Sequence, residues 1–367
     1  MKVLIMNPIL YTSETDQIPK VSSIKDTMIY TMCKGFIENG DEPVLVAADV
    51  YRPIENEKYP FPVIWLSCRL PRICKPRCLP WLKGLSTYLK KHGNEFDYII
   101  SSEAFSLLTL DGVIHVRRKM IIWHELGAHN NILCKIPSQI WYNIVVRGFM
   151  KDVPVVPRSD RAAQFIRNYS KNVLDIQIDH GIDLTRFTAQ RKKKNIFVVI
   201  SQLIERKHID KVIEKFSEFV NKNHKGYLLY IIGTGIKEEN LKKQTLELDM
   251  NDNIIFKGRM NHTELVPVLR EAKALLINTS KDNSMVSIVE SIACGTPIIT
   301  TTVPFNASYI KKEMLGIVND NWDEKELEEV CKNNEKYVDN CMQYREKLGN
   351  VYLARKFNQV GGMLNNK

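Results

Sequence analysis

The sequence predicts an α/β protein with two successive domains, each built on a parallel β-sheet. Three observations lead to this prediction. Short β-rich runs alternate with longer amphipathic stretches almost throughout the chain, which is typical of parallel strands joined by crossover helices. The chain has 367 residues, enough for two domains of about 150 residues each. A polar, basic stretch without apolar periodicity, residues 188–195, separates two series of strands.

The predicted strands are short runs rich in β-branched and aliphatic residues. In the first half of the chain they lie at residues 2–6, 42–48, 63–67, 97–101, 120–124, 153–157 and 176–180. In the second half they lie at residues 196–201, 227–233, 253–258, 274–278 and 297–301. Each half should therefore form its own sheet.

The basic stretch 188–195, TAQRKKKN, is interpreted as the linker, with its charges on a solvated surface. After the last predicted strand the chain becomes acidic and helical, and a second helical stretch follows. We predict an N-terminal domain at residues 1–187 and a C-terminal domain at 188–345. The terminal helix, residues 346–367, should pack back on the N-terminal domain.

The composition is that of a globular protein with excess positive charge. Lys and Arg number 52 against 42 Asp and Glu, a formal net charge of +10, which favours phosphates, nucleic acid or an acidic membrane surface as partners. Hydrophobic residues make up 44% of the chain, which excludes a mainly disordered protein. No apolar run approaches the roughly 18 residues that span a bilayer. The start of the chain turns polar before a signal-peptide core is complete, so we expect a cytoplasmic protein.

The eight cysteines are scattered along the chain, which favours free thiols over a disulfide framework. Cys68, Cys74 and Cys78 lie close together, but without a nearby His their spacing fits a zinc site poorly. We interpret them as structural thiols.

A strand, a glycine turn and a helix are predicted in the segment YLLYIIGTGIKEENLKK, which begins at Tyr227. Gly233 and Gly235 allow a tight turn and a close approach of the backbone to a ligand. The dinucleotide fingerprint requires a third glycine where this chain has Glu238, so nicotinamide and flavin binding are disfavoured.

Two acidic residues stand out in the segment ALLINTSKDNSMVSIVESIACGTPIITT, residues 274–301. Asp282 lies in the loop after a strand, and Glu290 lies in the following helix, which should end at Gly295. Carboxylates so spaced can face one crevice and accept strong hydrogen bonds from sugar hydroxyls. Alternatively, Asp282 caps the helix and Glu290 faces solvent, and the residues alone favour this alternative.

The same segment resembles the donor-binding signature of family 4 glycosyltransferases, which have the two-domain GT-B fold. That signature is an acidic residue, seven others, a glutamate, and then Ala-x-Ala-x-Gly-x-Pro. Asp282 and Glu290 match the two acids, and Ala293, Gly295 and Pro297 follow in register.

Further segments similar to the family's motifs follow one another in the expected order. They are HGIDLTRF at 180–187, SQLIERKHID at 201–210, IIGTG at 231–235 and FKG at 256–258. The resemblance covers residues 175–300 well and the first half of the chain only by pattern. It implies a GT-B fold, with two Rossmann-like domains facing each other across a cleft, the first for the acceptor and the second for a nucleotide sugar.

The resemblance also implies roles for individual residues. Glu290 would hold the ribose hydroxyls, Asp282 would contact the transferred sugar, and Lys207 would neutralise the diphosphate leaving group. The remaining donor contacts would come from the turn at Gly233 and Gly235, the helix amides around Val286 and Ser287 at the distal phosphate, and Arg259 and Met260 at the base.

Departures from the family pattern leave the donor's identity open. Gln202 stands where the family has a phosphate-binding Arg, so it brings a dipole without a charge. Arg206, beside Lys207, is expected to compensate. Asp282 replaces the commoner Glu, which shortens its reach by one methylene.

In the N-terminal domain, His124 and Glu125 should lie at the carboxyl end of a strand. Relatives often have a His or Asp there that contacts the donor sugar, so we predict this role for His124, with His129 as the competing candidate. The alternative is a packed or capping histidine. Glu103, at the end of the preceding strand, is a weaker candidate for acceptor binding.

Residues 68–91 combine basic and apolar side chains, as an element lying in a membrane interface does. Arg69, Arg72 and Trp81 are its candidate contacts with an acceptor or an anionic leaflet, and Leu82 and Leu85 belong to its apolar face. A core-packed helix with snorkelling basic residues is an equally good interpretation.

From the resemblance we expect a retaining glycosyltransferase that moves a hexose or N-acetylhexosamine from a UDP- or GDP-sugar to a glycan or polyprenyl-linked acceptor. The expected setting is surface polysaccharide biosynthesis, in the cytoplasm or peripherally on the inner face of the cell membrane. No Asp-x-Asp motif is present to hold a metal, so no metal or cofactor is expected, and no nucleic-acid-binding motif accompanies the charge. The alternatives are a nucleotide-sugar epimerase and a non-catalytic nucleotide-sugar-binding subunit.

Overall fold

The chain divides into two compact units. The structure, a computed structural model, describes residues 1–11, 18, 21–130, 132–222 and 224–365. One unit comprises Met1–Gly181 and Gly349–Lys367, and the other is Ile182–Leu348. The division precedes the expected boundary at residue 187, because Ile182 and Phe187 are buried in the core of the second unit.

The first unit is built on a six-stranded parallel sheet in the order β3-β2-β1-β4-β5-β6. The strands are β1 Lys2–Met6, β2 Glu42–Ala48, β3 Val63–Leu66, β4 Tyr98–Ser102, β5 Met120–His124 and β6 Val155–Pro157. The predicted strand at 176–180 does not form. Ile178 instead donates its N–H to Pro157 O at 3.1 Å, and its carbonyl accepts a bond from the Trp123 indole at 2.7 Å. The segment is therefore held by isolated hydrogen bonds and does not pair as a strand.

Helices cover the first sheet, whose central strand β1 is buried from Val3 to Met6, as expected for a parallel sheet with both faces covered. They are α1 Met28–Glu38, α2 Leu85–His92, α3 Leu107–Val116, α4 Ile136–Ile140 and α5 Asp160–Ile166. Helix α4 continues directly as a π-helix, Trp141–Met150. Short 3₁₀ turns lie at Asp49–Tyr51, Gly93–Glu95, Arg117–Lys119 and Ile132–Lys135.

The second unit repeats this architecture with a six-stranded parallel sheet in the order β12-β11-β10-β7-β8-β9. Its strands are β7 Ile196–Ile200, β8 Leu228–Ile232, β9 Ile254–Gly258, β10 Ala274–Leu276, β11 Ile298–Thr300 and β12 Gly316–Val318. Counted within each unit, both sheets have the strand order 3-2-1-4-5-6 of the Rossmann fold. The predicted class of two Rossmann-like α/β domains is confirmed.

The helices of the second unit alternate with its strands. They are α6 Ile209–Asn221, α7 Glu238–Glu247, α8 His262–Glu271, α9 Val286–Ala293, α10 Ala307–Lys312, α11 Glu324–Lys332 and α12 Asn334–Tyr344, with 3₁₀ turns at Glu205–Lys207 and Arg345–Leu348. The helix predicted after Asp282 is thus α9. Gly295, with φ of +70°, follows it in the left-handed conformation that commonly terminates helices.

The terminal helix, α13 Asn350–Asn365, belongs to the first unit. It packs so closely on α1 that a Cβ on Gly35 would lie 2.5 Å from the Asn350 carbonyl carbon. Asn358 accepts a bond from the Tyr98 hydroxyl at 2.7 Å and donates to Asp41 at 2.9 Å. Residues 366 and 367 of the expected helix lie outside the described residues.

The basic stretch 188–195 is not solvated throughout. The ammonium group of Lys193 donates to Arg270 O and Thr296 Oγ1 at 2.9 Å and to Cys294 O at 3.2 Å. Burial lowers the pKa of Lys193 to about 8. The expectation of a fully solvated charge run is therefore wrong at Lys193. It binds Arg270 O at the carboxyl end of α8 and Cys294 O at the carboxyl end of α9, positions where positive charge is favourable.

Candidate functional site

Two loops of the second unit meet through one carboxylate. The first loop follows β7 and contains Arg206 and Lys207, and the second follows β10 and contains Asp282. Asp282 Oδ2 accepts a bond from Lys207 Nζ at 2.7 Å, and Oδ1 lies 3.1 Å from Arg206 Nη1. The structure thus brings together three of the predicted site residues.

Backbone contacts fix these loops relative to each other. Ser280 N donates to Arg206 O at 2.9 Å, and Arg206 Nη1 donates to Lys281 O at 2.7 Å. The hydroxyl of Thr279 lies 2.7 Å from Asp282 Oδ2. Thr279 was not among the predicted site residues, although it lies in the same loop after β10 as Asp282.

This cluster carries one net positive charge, because two cations share one carboxylate. The side chains of Lys207 and Asp282 are largely buried, whereas Arg206 is about one third exposed. Water screens buried charges poorly, so the cluster attracts anions more strongly than exposed lysines do. It lies at the carboxyl ends of β7 and β10, the adjacent strands at which the strand order reverses, where ligands of such sheets usually bind.

The predicted glycine turn, after β8, packs against the loop that contains Lys207. Ser201 N donates to Ile232 O, and Leu203 N donates to Thr234 O, both at 3.0 Å. A Cβ on Gly233 would collide with Ser201 O, and one on Gly235 would collide with Leu203 O. The glycines are needed because another protein loop approaches this closely, and the role of the turn in donor binding stays a prediction.

The amino end of α9 follows Asp282 and has no side-chain cap. Met285 N donates to Asn306 Oδ1 at 2.6 Å, and Asn306 in turn donates to the Tyr309 hydroxyl at 2.7 Å. Val286 is exposed and Ser287 is half-buried in the first turn. Helix amino ends of this kind favour anionic groups.

Glu290 is buried in α9, so the alternative of a solvent-facing glutamate is wrong. Its Oε1 lies 3.1 Å from His262 Nε2, and the His262 ring packs edge-on against Phe187 with the centroids 5.1 Å apart. The sequence analysis missed His262. The capping box formed by Asn261 and Glu264 marks the start of α8 in the sequence. It places His262 at the first position of that helix.

The other predicted donor residues lie at the surface or the core margin. Gln202 and Arg259 are exposed. Met260 is half-buried and packs against the hydrophobic core that contains Met285. Their roles stay predictions.

A second ionic cluster lies at the carboxyl ends of β4 and β5 in the first unit. Glu103, in the left-handed conformation with φ of +71°, directs Oε2 to within 3.0 Å of His124 Nδ1. Its Oε1 accepts the N–H of Glu125 at 2.6 Å. Arg158 donates to Glu125 at 2.8 Å and lies 3.5 Å from the centroid of the Trp123 ring.

His124 is completely buried and has aromatic neighbours from its own unit. Its ring stacks on Phe165 at 6.1 Å and meets Tyr142 edge-on at 6.2 Å between centroids. Its competitor, His129, lies 3.0 Å from the Tyr169 hydroxyl and 3.2 Å from Ser138 Oγ. These contacts match the packed-histidine alternative, and a sugar contact by His124 stays a prediction.

Opposing effects act on the Glu103 carboxyl. Burial alone would raise its pKa, but the imidazole of His124, the guanidinium of Arg158 and the amide of Glu125 outweigh burial and hold the pKa below its usual value. Glu103 is therefore a half-buried carboxylate stabilised by specific partners.

Part of the apolar side of the segment 68–91 is committed to the core, whereas Leu70 and Ile73 are exposed. Leu82 and Leu85 are buried in the core of the first unit, so the core-packed alternative holds for them. Arg69 lies 4.6 Å from the centroid of the Trp81 ring, and Arg72 is exposed.

The described residues contain no cluster of three or more His, Cys, Asp or Glu side chains arranged to hold a metal ion. Within the same residues, no helix is long and apolar enough to cross a bilayer.

The second unit is similar to a known family. Residues 183–347, which include Lys207, Asp282 and Glu290, match the family described as glycosyl transferases group 1. The resemblance to family 4 glycosyltransferases noted in the sequence is thereby confirmed.

Two curated relatives are similar over about half of the chain. The alpha-monoglucosyldiacylglycerol synthase of Streptococcus pneumoniae is 25% identical over 197 residues, 49% of this chain and 44% of the relative. The O-antigen chain mannosyltransferase RfbU of Salmonella typhimurium is 22% identical over 190 residues, 52% of this chain and 51% of the relative. The chain thus spans about half the length of the curated relatives it matches.

A solved structure extends the likeness in fold to the whole chain. The structure of HepE from Anabaena in complex with UDP matches with a TM-score of 0.67 and 11% identity, covering 98% of this chain and 99% of HepE. The predicted GT-B fold class is confirmed.

We expect Gly233→Ala to destabilise the protein. The new Cβ would collide with Ser201 O, and the residue's φ of +132° is strained for any side chain, so the free energy of unfolding should fall by about 2 kcal/mol or more. Thermal or urea unfolding measures this change. Gly226→Ala is the matched control, because nothing lies within 4 Å of its added Cβ. Equal stability of the two variants would contradict this account of the turn.

We expect Glu103→Gln to destabilise the first unit in a pH-dependent manner. Because the folded-state pKa of Glu103 lies below its usual value, its carboxylate contributes stability above the unfolded-state pKa of about 4.3. That contribution is lost as pH falls through the folded-state value.

The measurement is thermal unfolding of both proteins from pH 7 to pH 3. The variant should be about 1–3 kcal/mol less stable above about pH 5, and the difference should shrink at lower pH. Glu55→Gln, at an exposed position, should change stability by less than about 0.5 kcal/mol. A difference for Glu103→Gln that stays constant over the whole pH range would refute the assignment.

Proposed function

We propose that this protein is a retaining glycosyltransferase that moves a hexose or N-acetylhexosamine from a UDP- or GDP-sugar to a glycan or lipid-linked acceptor. The observation that carries the proposal is the Lys207–Asp282–Arg206 cluster at the reversal point of the second sheet. The family match over residues 183–347 supports it.

In this proposal the second unit binds the donor. Lys207 and Arg206 bind the diphosphate and stabilise the negative charge that grows on it as the glycosidic C–O bond breaks. The uncapped amino end of α9 holds the distal phosphate. Arg206 thus supplies the charge that Gln202 lacks.

The two carboxylates select the rest of the donor. When the diphosphate binds Lys207 and Arg206, it takes over part of their contact with Asp282. The carboxylate of Asp282 then accepts hydrogen bonds from hydroxyls of the transferred sugar. His262 occupies one oxygen of Glu290 and leaves the other for a ribose hydroxyl. Charged acceptors make stronger hydrogen bonds with hydroxyls than neutral ones do.

The first unit binds the acceptor in this proposal. The acceptor hydroxyl oxygen bonds to the anomeric carbon on the face that the diphosphate leaves, and its proton passes to a diphosphate oxygen. The anomeric configuration is therefore retained without a protein nucleophile, and the products are the glycosylated acceptor and a nucleoside diphosphate.

The names of the relatives support the class of acceptor and the cellular setting. One is named as a synthase of a glucosylated diacylglycerol and the other as a mannosyltransferase of O-antigen chains. We propose the same general setting here, surface glycan or glycolipid biosynthesis in the cytoplasm or on the inner face of the cell membrane.

A donor panel tests the proposal directly. The full chain is titrated with UDP- and GDP-hexoses and N-acetylhexosamines, and the thermal midpoint should rise with one of them because the ligand binds only the folded protein. The selected donor is then incubated with lipid-linked and oligosaccharide acceptors. Transfer with retention supports the proposal, conversion of the donor sugar without acceptor indicates an epimerase, and binding without turnover indicates a non-catalytic subunit.

We expect Lys207→Ala to lower kcat about 100-fold or more, because it removes a cation from the charge that develops on the leaving group. Arg206→Ala should also lower kcat, about tenfold or more. Lys211→Ala, which changes an exposed lysine paired with Glu214, is the matched control and should leave kcat unchanged. Full activity of Arg206→Ala would show that it does not compensate for Gln202.

We expect Asp282→Asn to separate binding from turnover. Removing the carboxylate frees the two cations for a diphosphate, so the Kd of the nucleoside diphosphate should fall severalfold. Turnover should drop about tenfold or more, because the sugar hydroxyls lose a charged acceptor. Calorimetry and initial rates measure the two effects, with the exposed Asp252→Asn as control. Weaker binding of the diphosphate by Asp282→Asn would show that the ion pair does not compete with the ligand.

A further inference from the structure

A row of large apolar side chains is exposed on the helix that runs from Ile136 to Met150. Ile136, Ile140, Ile144 and Phe149 are 56%, 54%, 61% and 52% exposed. Single exposed apolar residues are common on soluble proteins, but contiguous groups of them mark surfaces that interact with a partner. We call these four residues the apolar stripe.

The geometry of the helix aligns the stripe on one face. Residues 136–140 are α-helical, so Ile136 and Ile140 lie one turn apart. From Trp141 onward the helix is a π-helix, whose hydrogen bonds join residues five apart. Ile144 and Phe149, four and nine residues after Ile140, therefore continue the same line.

The opposite face of this helix already has its packing partners. Tyr142, Val146 and Met150 are buried in the core of the first unit. The side of the helix away from the core carries the apolar stripe beside the exposed polar side chains of Asn143 and Arg147.

The surroundings of the stripe are basic. From residue 132 to residue 151 the chain contains Lys135, Arg147 and Lys151 and no acidic residue. Arg117, at the end of α3, donates to Phe149 O at 2.6 Å, which brings the Arg117–Arg118 pair to the same end of the stripe. Lys135, Arg118 and Lys151 are exposed, and the acidic side chain nearest in sequence is Asp152, directly after the helix.

We propose that the apolar stripe docks the protein on an anionic phospholipid bilayer. Exposed aliphatic and aromatic side chains on one helix face, flanked by Lys and Arg, are the features that bind a helix in the plane of a lipid interface. The cations contact lipid phosphates, and the side chains of Ile136, Ile140, Ile144 and Phe149 enter the acyl boundary. The positive charge favours this occupant over a second copy of the chain, whose cations would face these.

This surface differs from the segment 68–91 considered in the sequence. There Leu82 and Leu85 are committed to the core, and the exposed apolar side chains are Leu70 and Ile73 in a short turn. The inference is also independent of the proposed enzymatic activity, because lipid binding is measured without donor, acceptor or turnover.

The test is vesicle flotation of the full chain at about 0.1 M salt, where exposed charges still act over about 10 Å. Vesicles of phosphatidylglycerol mixed with phosphatidylcholine are compared with vesicles of phosphatidylcholine alone. The triple variant Ile140→Ser/Ile144→Ser/Phe149→Ser should bind the anionic vesicles at least about tenfold more weakly than the wild type. Arg118→Gln/Lys151→Gln should weaken binding by a similar factor and remove the preference for anionic lipid.

Two matched controls carry similar changes elsewhere. Ile236→Ser/Leu246→Ser alters exposed apolar residues of the second unit and should bind like the wild type, as should Leu70→Ser/Ile73→Ser. Circular dichroism and thermal unfolding confirm that each variant is folded, and the charge variant still tests the proposal if the triple variant unfolds.

Several outcomes would overturn the proposal. They are no flotation of the wild type, equal binding to both vesicle types, undiminished binding of the triple variant, or loss of binding only in Leu70→Ser/Ile73→Ser. Light scattering measures the oligomeric state of both proteins. A wild type that is dimeric and does not bind vesicles, with a monomeric triple variant, would assign the stripe to self-association.

Discussion

The carboxylate of Asp282 is the interaction on which the candidate site of the second unit depends. It binds Lys207 and Arg206 and thereby joins the loops that follow β7 and β10. Without it, two cations would lie close together in a largely buried position, where repulsion is strong. The same carboxylate competes with an incoming anion for these cations, so the affinity of the site is the difference between two sets of ionic contacts.

The first unit uses the ends of its central strands in a different way. Glu103 and His124, after β4 and at the end of β5, pair within an aromatic environment. A buried carboxylate requires partners that replace its lost hydration, and here an imidazole and a backbone amide provide them. The two Rossmann-like units thus place different chemistry at the carboxyl ends of their strands. The cluster of the second unit lies between its first and fourth strands, and that of the first unit lies between its fourth and fifth.

Much of the fold could be predicted from the sequence because strands buried on both faces appear as continuous apolar runs. β12 was missed because Gly316–Val318 is a short edge strand of half-buried residues. The run at 176–180 has the composition of a strand, but the edge strand beside it, β6, ends at Pro157, to which Ile178 makes a single hydrogen bond. Local patterns do not contain that information.

The same distinction applies to the site. Asp282 and Glu290 stand out by their spacing along a loop and a helix, but the residues alone favour a helix cap and a solvent-facing glutamate. The resemblance is what assigns both acids, together with Lys207, to a donor site. The contact of His262 with Glu290 joins α8 to α9, and the role of Gly233 depends on the backbone of Ser201, directly after the preceding strand β7. Such long-range contacts arise from packing, so a single sequence does not reveal them.

Because α13 belongs to the first unit, a single cut in the chain cannot separate the two units intact. The second unit is one uninterrupted stretch, Ile182–Leu348, whereas the first is assembled from two segments. A truncation after residue 181 would strip α1 of its neighbour and uncover Phe36, which packs against Phe357. In topological terms, the second unit is an insertion into the first, and removing it calls for a short peptide that rejoins Gly181 to Gly349.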